Sequence, residues 1–189
     1  MTGNYGGGKS TVLGIFRQFG AFCINADGIV AELLEDRDVL EGIKKTAGGR
    51  VFDGGGLSKK KLADLIFTDK TAREAVEAVI HPMVMARIER ELSDSGAGVG
   101  VVEIPLLYEK GYESAFDKVV AVYADEQTAL ARLEKAGIPR KNAKQRLAVQ
   151  MPIDQKIKRA DYVIDNRDGF EETRRQAMRI YEFLQTADK

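Results

Sequence analysis

Short apolar runs alternate with amphipathic stretches along most of the chain. Four runs have the length and apolar content of buried strands: AFCIN (21–25), VGVVEI (99–104), KVVAVYA (118–124) and YVI (162–164). The stretches between them carry apolar residues at helical spacing, as in STVLGIFRQF, GIVAELLE, ALARLEKA and the C-terminal GFEETRRQAMRIYEFLQ. Strands that alternate with helices predict an α/β fold, in which helices cover both faces of a parallel sheet.

Two segments depart from this alternation because they contain no strand pattern. In residues 58–92, Ser58 is placed to cap LSKKKLADLIF, Asp69 to cap TAREAVEAVI, and Pro82 to begin a third helix, PMVMARIEREL. Residues 138–160 read as two short helices. The pattern therefore predicts helical additions to an α/β core.

The composition narrows the class of protein. A length of 189 residues predicts one domain, or one domain with an inserted subdomain. With 44% hydrophobic and 31% charged residues, the chain can form a core and is not of the disordered type. The formal net charge of zero argues against a general nucleic-acid or membrane-surface binder, and nothing in the sequence calls for an obligate protein partner.

Cellular location is predicted from the cysteine content and from two missing patterns. Cys23 is the single cysteine, so it has no partner within the chain, and its apolar surroundings predict a buried hydrophobic residue in a reducing compartment. No apolar run is long enough for a membrane span, and no signal-peptide pattern is present. These features predict a cytoplasmic protein.

The segment GNYGGGKS matches the spacing G-x-x-x-x-G-K-[ST] in full. Glycines let backbone N–H groups turn towards a phosphate chain, and the following helix adds its N-terminal N–H groups. The lysine contributes positive charge, and the hydroxyl can bind Mg²⁺. A glycine-rich turn before a helix is the plainer alternative, but the complete spacing favours a site for ATP and Mg²⁺. Its predicted residues are Gly3, Asn4, Tyr5, Gly6, Gly7, Gly8, Lys9, Ser10 and Thr11.

Two carboxylates follow predicted strands, at the edge where open α/β sheets bind ligands. Asp27 comes just after the second strand, where it can act on a ligand or simply cap the next helix. Glu103 ends a buried strand among apolar neighbours, so its carboxylate needs a partner. An acidic residue at such a strand end is suited to hold Mg²⁺ or a water molecule on it.

Positive charge is concentrated in residues 132–159. Nine basic residues oppose only Glu134 and Asp154, which gives a local net charge of +7 in a neutral chain. Such a run is usually a solvated face, but it also suits contact with polyphosphate, for which arginine is the preferred side chain. We interpret Lys156 and Lys158 as solvated. The nine are Arg132, Lys135, Arg140, Lys141, Lys144, Arg146, Lys156, Lys158 and Arg159.

Five further stretches, together with the glycine loop, carry a family resemblance. They are NADGIVAELLE, AVIHPMV, VVEIPLLYEKG, QMP at 150–152 and ADYVIDN at 160–166. In this order, over nearly the whole chain, they resemble the dephospho-coenzyme A kinase family. The resemblance implies transfer of the γ-phosphate of ATP, with Mg²⁺, to the ribose 3′-hydroxyl of dephospho-coenzyme A, which is the last step of coenzyme A synthesis.

The resemblance also implies an architecture. It is a three-layer α/β fold with a parallel sheet, a phosphate loop, a helical acceptor-binding domain and a small helical lid. The nucleotide-binding core is expected at residues 1–54, 93–131 and 161–189. The acceptor-binding domain is expected at 55–92, and the lid at 132–160.

Individual roles follow from the family motifs. Lys9, Asp27 and Arg146 match the catalytic groups, with Asp27 beside the acceptor hydroxyl and Arg146 in the family's R-x-x-x-Q. Arg140 and Asn166 are assigned to ATP, and Ser10 and Glu103 to the metal. The acceptor site comprises Asp27, His81, Pro82, Glu103 and Leu106, although His81 and Pro82 also suit an ordinary helix start.

Some positions depart from the family pattern. Glu103 stands where the family more often has aspartate, so we expect a water-mediated contact with the metal. Ala136 stands where the family commonly has an arginine, which Arg140 is expected to replace. Asn25 replaces an aspartate and leaves Asp27 as the sole carboxylate of its motif.

Two other functions share parts of this pattern. A different small-molecule or nucleoside monophosphate kinase would have the loop and the lid, but the His81–Pro82 pair and the length of the helical insert argue against it. A nucleotide-dependent regulator would bind ATP without an acceptor, whereas the basic segment and Asp27 favour transfer. Measuring whether ATP consumption depends on dephospho-coenzyme A distinguishes these alternatives from the family function, since a regulator would show no dependence on an acceptor.

The start of the sequence raises an expectation about the sheet. A phosphate loop normally follows a buried central strand, and only Met1 and Thr2 precede Gly3. We expect a gap with unpaired backbone groups between the neighbouring strands, unless those strands close on each other. The hypothesis is that the natural chain starts upstream.

Overall fold

The computed structural model describes residues 1–186, and four of its strands lie where the apolar runs predict them. Three strand segments, at 2–3, 52–53 and 56–57, were not predicted, although the two glycines between the last two, Gly54 and Gly55, are a hairpin signal. The strands are β1 Thr2–Gly3, β2 Phe22–Asn25, β3 Phe52–Asp53, β4 Gly56–Leu57, β5 Gly100–Glu103, β6 Val120–Tyr123 and β7 Tyr162–Asp165.

The helices also follow the predicted pattern, with one addition between 37 and 47. That helix has the predictable signals of an Asp36 N-cap and buried Val39, Ile43 and Ala47 at four-residue spacing. The helices are α1 Lys9–Gln18, α2 Ala26–Leu33, α3 Arg37–Ala47, α4 Lys59–Thr68, α5 Lys70–Ser95, α6 Glu126–Lys135, α7 Arg140–Ala148, α8 Ile153–Arg159 and α9 Phe170–Thr186.

The main sheet is parallel and has the order β2-β5-β1-β6-β7. Direct strand pairs are β2 with β5, β1 with β6, and β6 with β7. Two hydrogen bonds of Met1 connect the two halves: its ammonium donates to Val102 O at 2.7 Å, and its carbonyl accepts from Ile104 N at 2.9 Å. These bonds place Met1 opposite Glu103 in parallel register. The α/β class with a parallel sheet is therefore confirmed.

The expectation of a gap in the sheet is wrong, because residues 1–3 bond to the strands on both sides. Thr2 and Gly3 pair with Ala121 and Val122 on one side, while Met1 bonds to β5 on the other. Three residues are enough here because each one contributes backbone groups to a neighbouring strand. The proposed upstream start stays a prediction.

The α-amino group of Met1 is fully buried, and this predicts a dependence of stability on pH. Burial lowers the pKa of this ammonium from 8.0 to about 5, although the nearby Glu103 carboxylate raises it. The unfolded chain binds this proton below about pH 8, whereas the folded chain does not until about pH 5. The free energy of unfolding must therefore decrease as the pH falls through this window, by about 2 kcal/mol between pH 8 and pH 6.

Urea unfolding of protein with a free Met1 amine, followed across this pH range, measures the effect. The His81→Gln variant serves as the reference, because it removes the single histidine of the chain. A free energy of unfolding that stays constant from pH 8 to pH 6 in this variant contradicts the prediction.

One face of the sheet is covered by α1 and α9. Apolar side chains of both helices pack with Met1, Val120 and Val122 in the largest described core cluster. The residues alternating with these, Thr2 among them, point to the opposite face. There α8 contacts β1 and β6, so helices lie on both sides of the sheet.

Residues 26–94 form one compact unit, and the rest of the described chain forms another. The unit of residues 26–94 contains α2 to α4, the β3–β4 hairpin and nearly all of α5. The expected division into core, acceptor-binding domain and lid stays a prediction.

Pro82 does not begin a helix, because it lies within the continuous 26-residue helix α5. Buried residues recur every four positions on both sides of it, at Ala72, Val76, Ile80, Val84 and Ile88. One uninterrupted apolar stripe offsets the single backbone hydrogen bond that an internal proline removes. The caps by Ser58 on α4 and by Asp69 on α5 are confirmed. None of the helices in residues 1–186 is both long enough and apolar enough to cross a membrane.

Candidate functional site

The glycine loop joins β1 to α1, and two of its glycines sit where a side chain would collide. A Cβ on Gly3 would lie 2.2 Å from Val122 O, and one on Gly8 would lie 2.0 Å from Asn166 Nδ2. Gly8 also adopts a left-handed conformation, with φ of 91°, as it caps α1. The loop can therefore pack closely against β6 and the end of β7, with the N–H groups of the first turn of α1 left for a ligand.

Asn4 holds the first half of the loop, and its carbonyl organises the second half. Its side chain exchanges hydrogen bonds with Ala124, donating to O at 2.9 Å and accepting from N at 3.4 Å. Its carbonyl accepts from Gly7 N at 3.0 Å and from Lys9 Nζ at 3.1 Å. The buried Lys9 ammonium is thereby directed back across the loop.

Asn166 ties the loop to the C-terminal part of the chain. Its Nδ2 donates to Gly7 O at 2.9 Å, and its Oδ1 accepts from the buried Thr173 hydroxyl at 2.8 Å. Both ends of the amide are thus engaged in fixing the loop. Sequence reasoning assigned Asn166 to the site but missed Thr173, for which the sequence offers no separate signal.

Ser10 and Glu103 meet at the end of the loop. Ser10 Oγ donates to Glu103 Oε1 at 3.2 Å, and Asn25 Nδ2 donates to Glu103 Oε2 at 3.1 Å. Glu103 is only 4% exposed, so the expected need of its carboxylate for partners is confirmed. A hydroxyl and a carboxylate in contact are hard oxygen donors, the kind that Mg²⁺ prefers.

Arg132 places a positive charge near Gly8. Its Nη2 donates to Asn166 O at 2.7 Å, while its Nη1 is buried without a hydrogen-bond partner in the described part of the chain. The same side chain lines an open groove of about 380 Å³ with Gln127, Thr128, Ala131 and Lys135. A half-buried guanidinium with an unused donor suits the binding of an anion.

Two predicted residues of the basic segment, Arg146 and Arg140, have different surroundings. Arg146 Nη1 donates to Tyr5 Oη at 2.9 Å, so this arginine lies beside the glycine loop. Gln150, four residues later, accepts a hydrogen bond from Tyr5 N at 2.8 Å. Arg140 instead forms an exposed ion pair with Glu134 at 3.1 Å.

The interpretation of Lys156 as a solvated residue is wrong. Its side chain is fully buried, and its Nζ contacts Glu109 Oε1 at 2.9 Å and donates to Pro105 O at 2.7 Å. Burial lowers the pKa of this ammonium, and the Glu109 carboxylate opposes that shift. The spacing of Lys156 with Ile153 and Ile157 on one helical face was the available signal. Lys158 is exposed, as predicted.

The remaining predicted residues lie apart from these contacts or in the compact unit of residues 26–94. Thr11 is exposed on the first turn of α1, and Leu106 lies partly buried in the turn after β5. Asp27 is exposed on the first turn of α2, two residues along the chain from Asn25. His81 and Pro82 lie within α5, partly buried and exposed respectively.

Several curated proteins similar to this chain share one description. A profile of the family described as dephospho-CoA kinase matches residues 1–172. The dephospho-CoA kinase of Aquifex aeolicus is 37% identical over 187 residues. The match covers 97% of this chain and 95% of the Aquifex protein. The dephospho-CoA kinase of Symbiobacterium thermophilum is 40% identical over 182 residues. This match covers 93% of this chain and 76% of the Symbiobacterium protein.

Solved structures resemble the fold over its full length. A crystal structure from Thermus thermophilus superposes with a TM-score of 0.88 at 34% identity, covering 96% of this chain and 94% of that one. The dephospho-CoA kinase from Campylobacter jejuni gives a TM-score of 0.71 at 26% identity, covering 100% and 96% respectively. The likeness thus extends over both compact units.

Proposed function

The chain belongs to the dephospho-CoA kinase family, which completes coenzyme A synthesis by ATP-dependent phosphorylation, and we propose that Lys9, Asp27 and Arg146 carry this transfer here. The observation that carries the assignment of the ATP site is that the buried Lys9 is followed at the start of α1 by the exposed Ser10, whose hydroxyl donates to the buried Glu103. Such positioned charge is what phosphoryl transfer requires.

ATP is proposed to bind through its phosphates to the backbone of residues 3–11, with Lys9 moving from Asn4 O to a phosphate oxygen. The lysine is already held inside the loop, so this exchange replaces a hydrogen bond to a neutral carbonyl by a stronger one to a charged phosphate oxygen. Asn166 contributes by fixing Gly7, since its own amide is engaged.

Mg²⁺ is proposed to lie beside Ser10 and Glu103. The pair supplies a hydroxyl and a carboxylate in contact, which fits the donor preference of this ion. The described residues contain no cluster of three or more acidic, cysteine or histidine ligands, so the phosphates and water would complete the coordination. When bound, Mg²⁺ would neutralise charge on the phosphate oxygens.

Asp27 is proposed as the base that accepts the proton of the acceptor hydroxyl. It follows β2 by two residues, and two residues of chain span at most about 7 Å. Asn25, where β2 ends, contacts Glu103 directly, so chain connectivity alone keeps Asp27 in the neighbourhood of the proposed metal site. Glu103 and Leu106 are assigned to the acceptor by family resemblance, as are His81 and Pro82.

The basic segment is proposed to supply arginines to the transferring phosphate. Arg146 lies beside the loop already, and Arg132 has a buried donor available near Gly8. Arg140 would have to leave Glu134, so we assign it the weaker contact with ATP. We also propose that the protein acts in the cytoplasm, where coenzyme A synthesis has its substrates.

A product assay with a panel of acceptors tests the reaction. With ATP and Mg²⁺, we expect conversion of dephospho-coenzyme A to coenzyme A and little turnover of adenosine or cytidine monophosphate. Preferential turnover of a nucleoside monophosphate would contradict the proposed acceptor. Consumption of ATP that does not depend on any acceptor would indicate a regulator.

The Lys9→Ala variant is expected to weaken both ATP binding and turnover. The change removes a charge-assisted contact with phosphate, worth about 1.5–3 kcal/mol, which corresponds to a loss of about 10- to 150-fold in kcat/KM. Calorimetric ATP titration and steady-state kinetics measure it, with Lys45→Ala on the exposed end of α3 as the control. Equal behaviour of the two variants would remove Lys9 from the site.

A further inference from the structure

Tyr5 occupies the outer corner of the glycine loop. Gly7 N donates to Asn4 O at 3.0 Å, which closes a four-residue turn with Tyr5 at its second position. Gly6 follows with φ of 77°, as the third position of a type II turn requires. Tyr5 N therefore points away from the interior of the turn, and it donates to Gln150 Oε1 at 2.8 Å.

The side chain of Tyr5 makes two kinds of contact with Arg146. The phenol oxygen accepts a hydrogen bond from Nη1 at 2.9 Å, and the guanidinium carbon lies 5.2 Å from the ring centroid. The ring itself packs with the apolar cluster between α6 and α7, which contains Leu130, Leu133, Ala143, Ile138 and Leu147. One residue of the loop thus holds both the charge and the apolar side of α7.

We propose that Tyr5 is a positioning residue that holds Arg146 beside the phosphate loop before ATP arrives. This inference rests on the proposed role of Arg146 in phosphate binding. A free arginine loses about 2 kcal/mol of rotamer entropy when it is fixed, and neighbouring positive charges of the segment repel it. The contact with Tyr5 is made within the loop, so these costs are met during folding and not during binding.

The chemistry of Tyr5 distinguishes positioning from direct participation. A neutral phenol adds no charge to the transferring phosphate, but it fixes where the guanidinium lies. Misplacement of a catalytic group by about 1 Å can reduce the rate by about 100-fold, so the placement of Arg146 affects transition-state stabilisation.

A double-mutant cycle tests the proposal through kinetics. Tyr5→Phe keeps the ring and its packing and removes only the hydrogen-bond acceptor. We expect kcat/KM for ATP to fall by about 3- to 10-fold, as for the loss of one hydrogen bond. In the Arg146→Ala background, Tyr5→Phe should have no further effect. Tyr123→Phe is the control, since Tyr123 also lies under an arginine, Arg167, with 4.9 Å between guanidinium carbon and ring centroid.

Two kinetic outcomes would overturn the proposal. If the effects of Tyr5→Phe and Arg146→Ala multiply, Tyr5 acts independently of Arg146. If Tyr5→Phe increases kcat, the contact restrains Arg146 and does not position it.

Hydrogen–deuterium exchange without nucleotide provides a readout that does not depend on the reaction. We expect Tyr5→Phe and, more strongly, Tyr5→Ile to increase exchange in peptides covering residues 138–150, with no change for Tyr123→Phe. Unchanged exchange in both Tyr5 variants would show that the contact does not hold the segment, and would overturn the proposal. If the parent protein phosphorylates no acceptor, the proposed function fails, while this measurement still decides whether Tyr5 holds Arg146.

Discussion

The Asp27→Asn variant is expected to bind ATP normally and to lose about 10²- to 10⁴-fold in kcat, the usual contribution of a general base. The amide has nearly the shape of the carboxylate, so α2 should keep its first turn. It cannot accept a proton from the acceptor hydroxyl, so the loss should fall on the chemical step and not on binding. Steady-state kinetics with dephospho-coenzyme A and calorimetric ATP titration measure the two effects separately.

Asp38→Asn is the control that shows whether removing any exposed negative charge lowers kcat. Asp38 is another exposed aspartate on the first turn of a helix, α3, in the same compact unit. Asp38→Asn should leave kcat within about twofold, as expected for a surface change. Asp27 would be excluded from the mechanism if Asp27→Asn turned over as fast as Asp38→Asn.

The Lys156→Met variant is expected to lower the free energy of unfolding by about 3 kcal/mol, with little effect on the residues that bind ATP. The lysine is fully buried, and its loss leaves the Glu109 carboxylate with Met151 N as its described hydrogen-bond donor. An uncompensated buried charge costs about 3–5 kcal/mol, and the partial exposure of Glu109 places this case at the lower end. Urea unfolding at neutral pH measures it.

Lys158→Met is the control for this substitution, because Lys158 is exposed on the same helix and should change stability by less than about 0.5 kcal/mol. Adding Glu109→Gln to Lys156→Met should restore part of the loss, since the neutral amide can still accept from Met151 N. A cost below about 1 kcal/mol for Lys156→Met alone would show that the ion pair contributes little to stability.

Local signals in the sequence predicted β2, β5, β6, β7 and most helices, because each of these segments has an apolar pattern typical of one kind of element. The caps at Ser58 and Asp69 were readable for the same reason: each is a short-range contact. The prediction that Pro82 begins a helix was wrong. The local preference of proline for a helix start competes here with an apolar stripe that continues along α5 on both sides of Pro82. Tertiary burial of that stripe decides the outcome, and a local rule does not include it.

Site residues were predictable where they belong to one sequence motif. Contacts between residues far apart in sequence were not predictable. The glycine loop and the pairing need of Glu103 could be read directly. The partners could not: nothing near residue 5 indicates Arg146, and nothing near Asn166 indicates Thr173. Lys156 was misjudged because charge was counted along the segment without asking which helical face each charge occupies.

The bonds that shape the glycine loop have a consequence for how the protein is made. Asn4, Tyr5 and Gly7 bond to Ala124, Gln150 and Asn166, over sequence separations of 120, 145 and 159 residues. A ribosome adds about 5–20 residues per second, so the loop waits on the order of ten seconds for its last partner. During that time the nascent polypeptide carries the complete nucleotide-binding motif without its native shape. Such high contact order places the acquisition of nucleotide binding late in folding, after β6 and β7, which Ala124 and Asn166 directly follow, have joined the sheet.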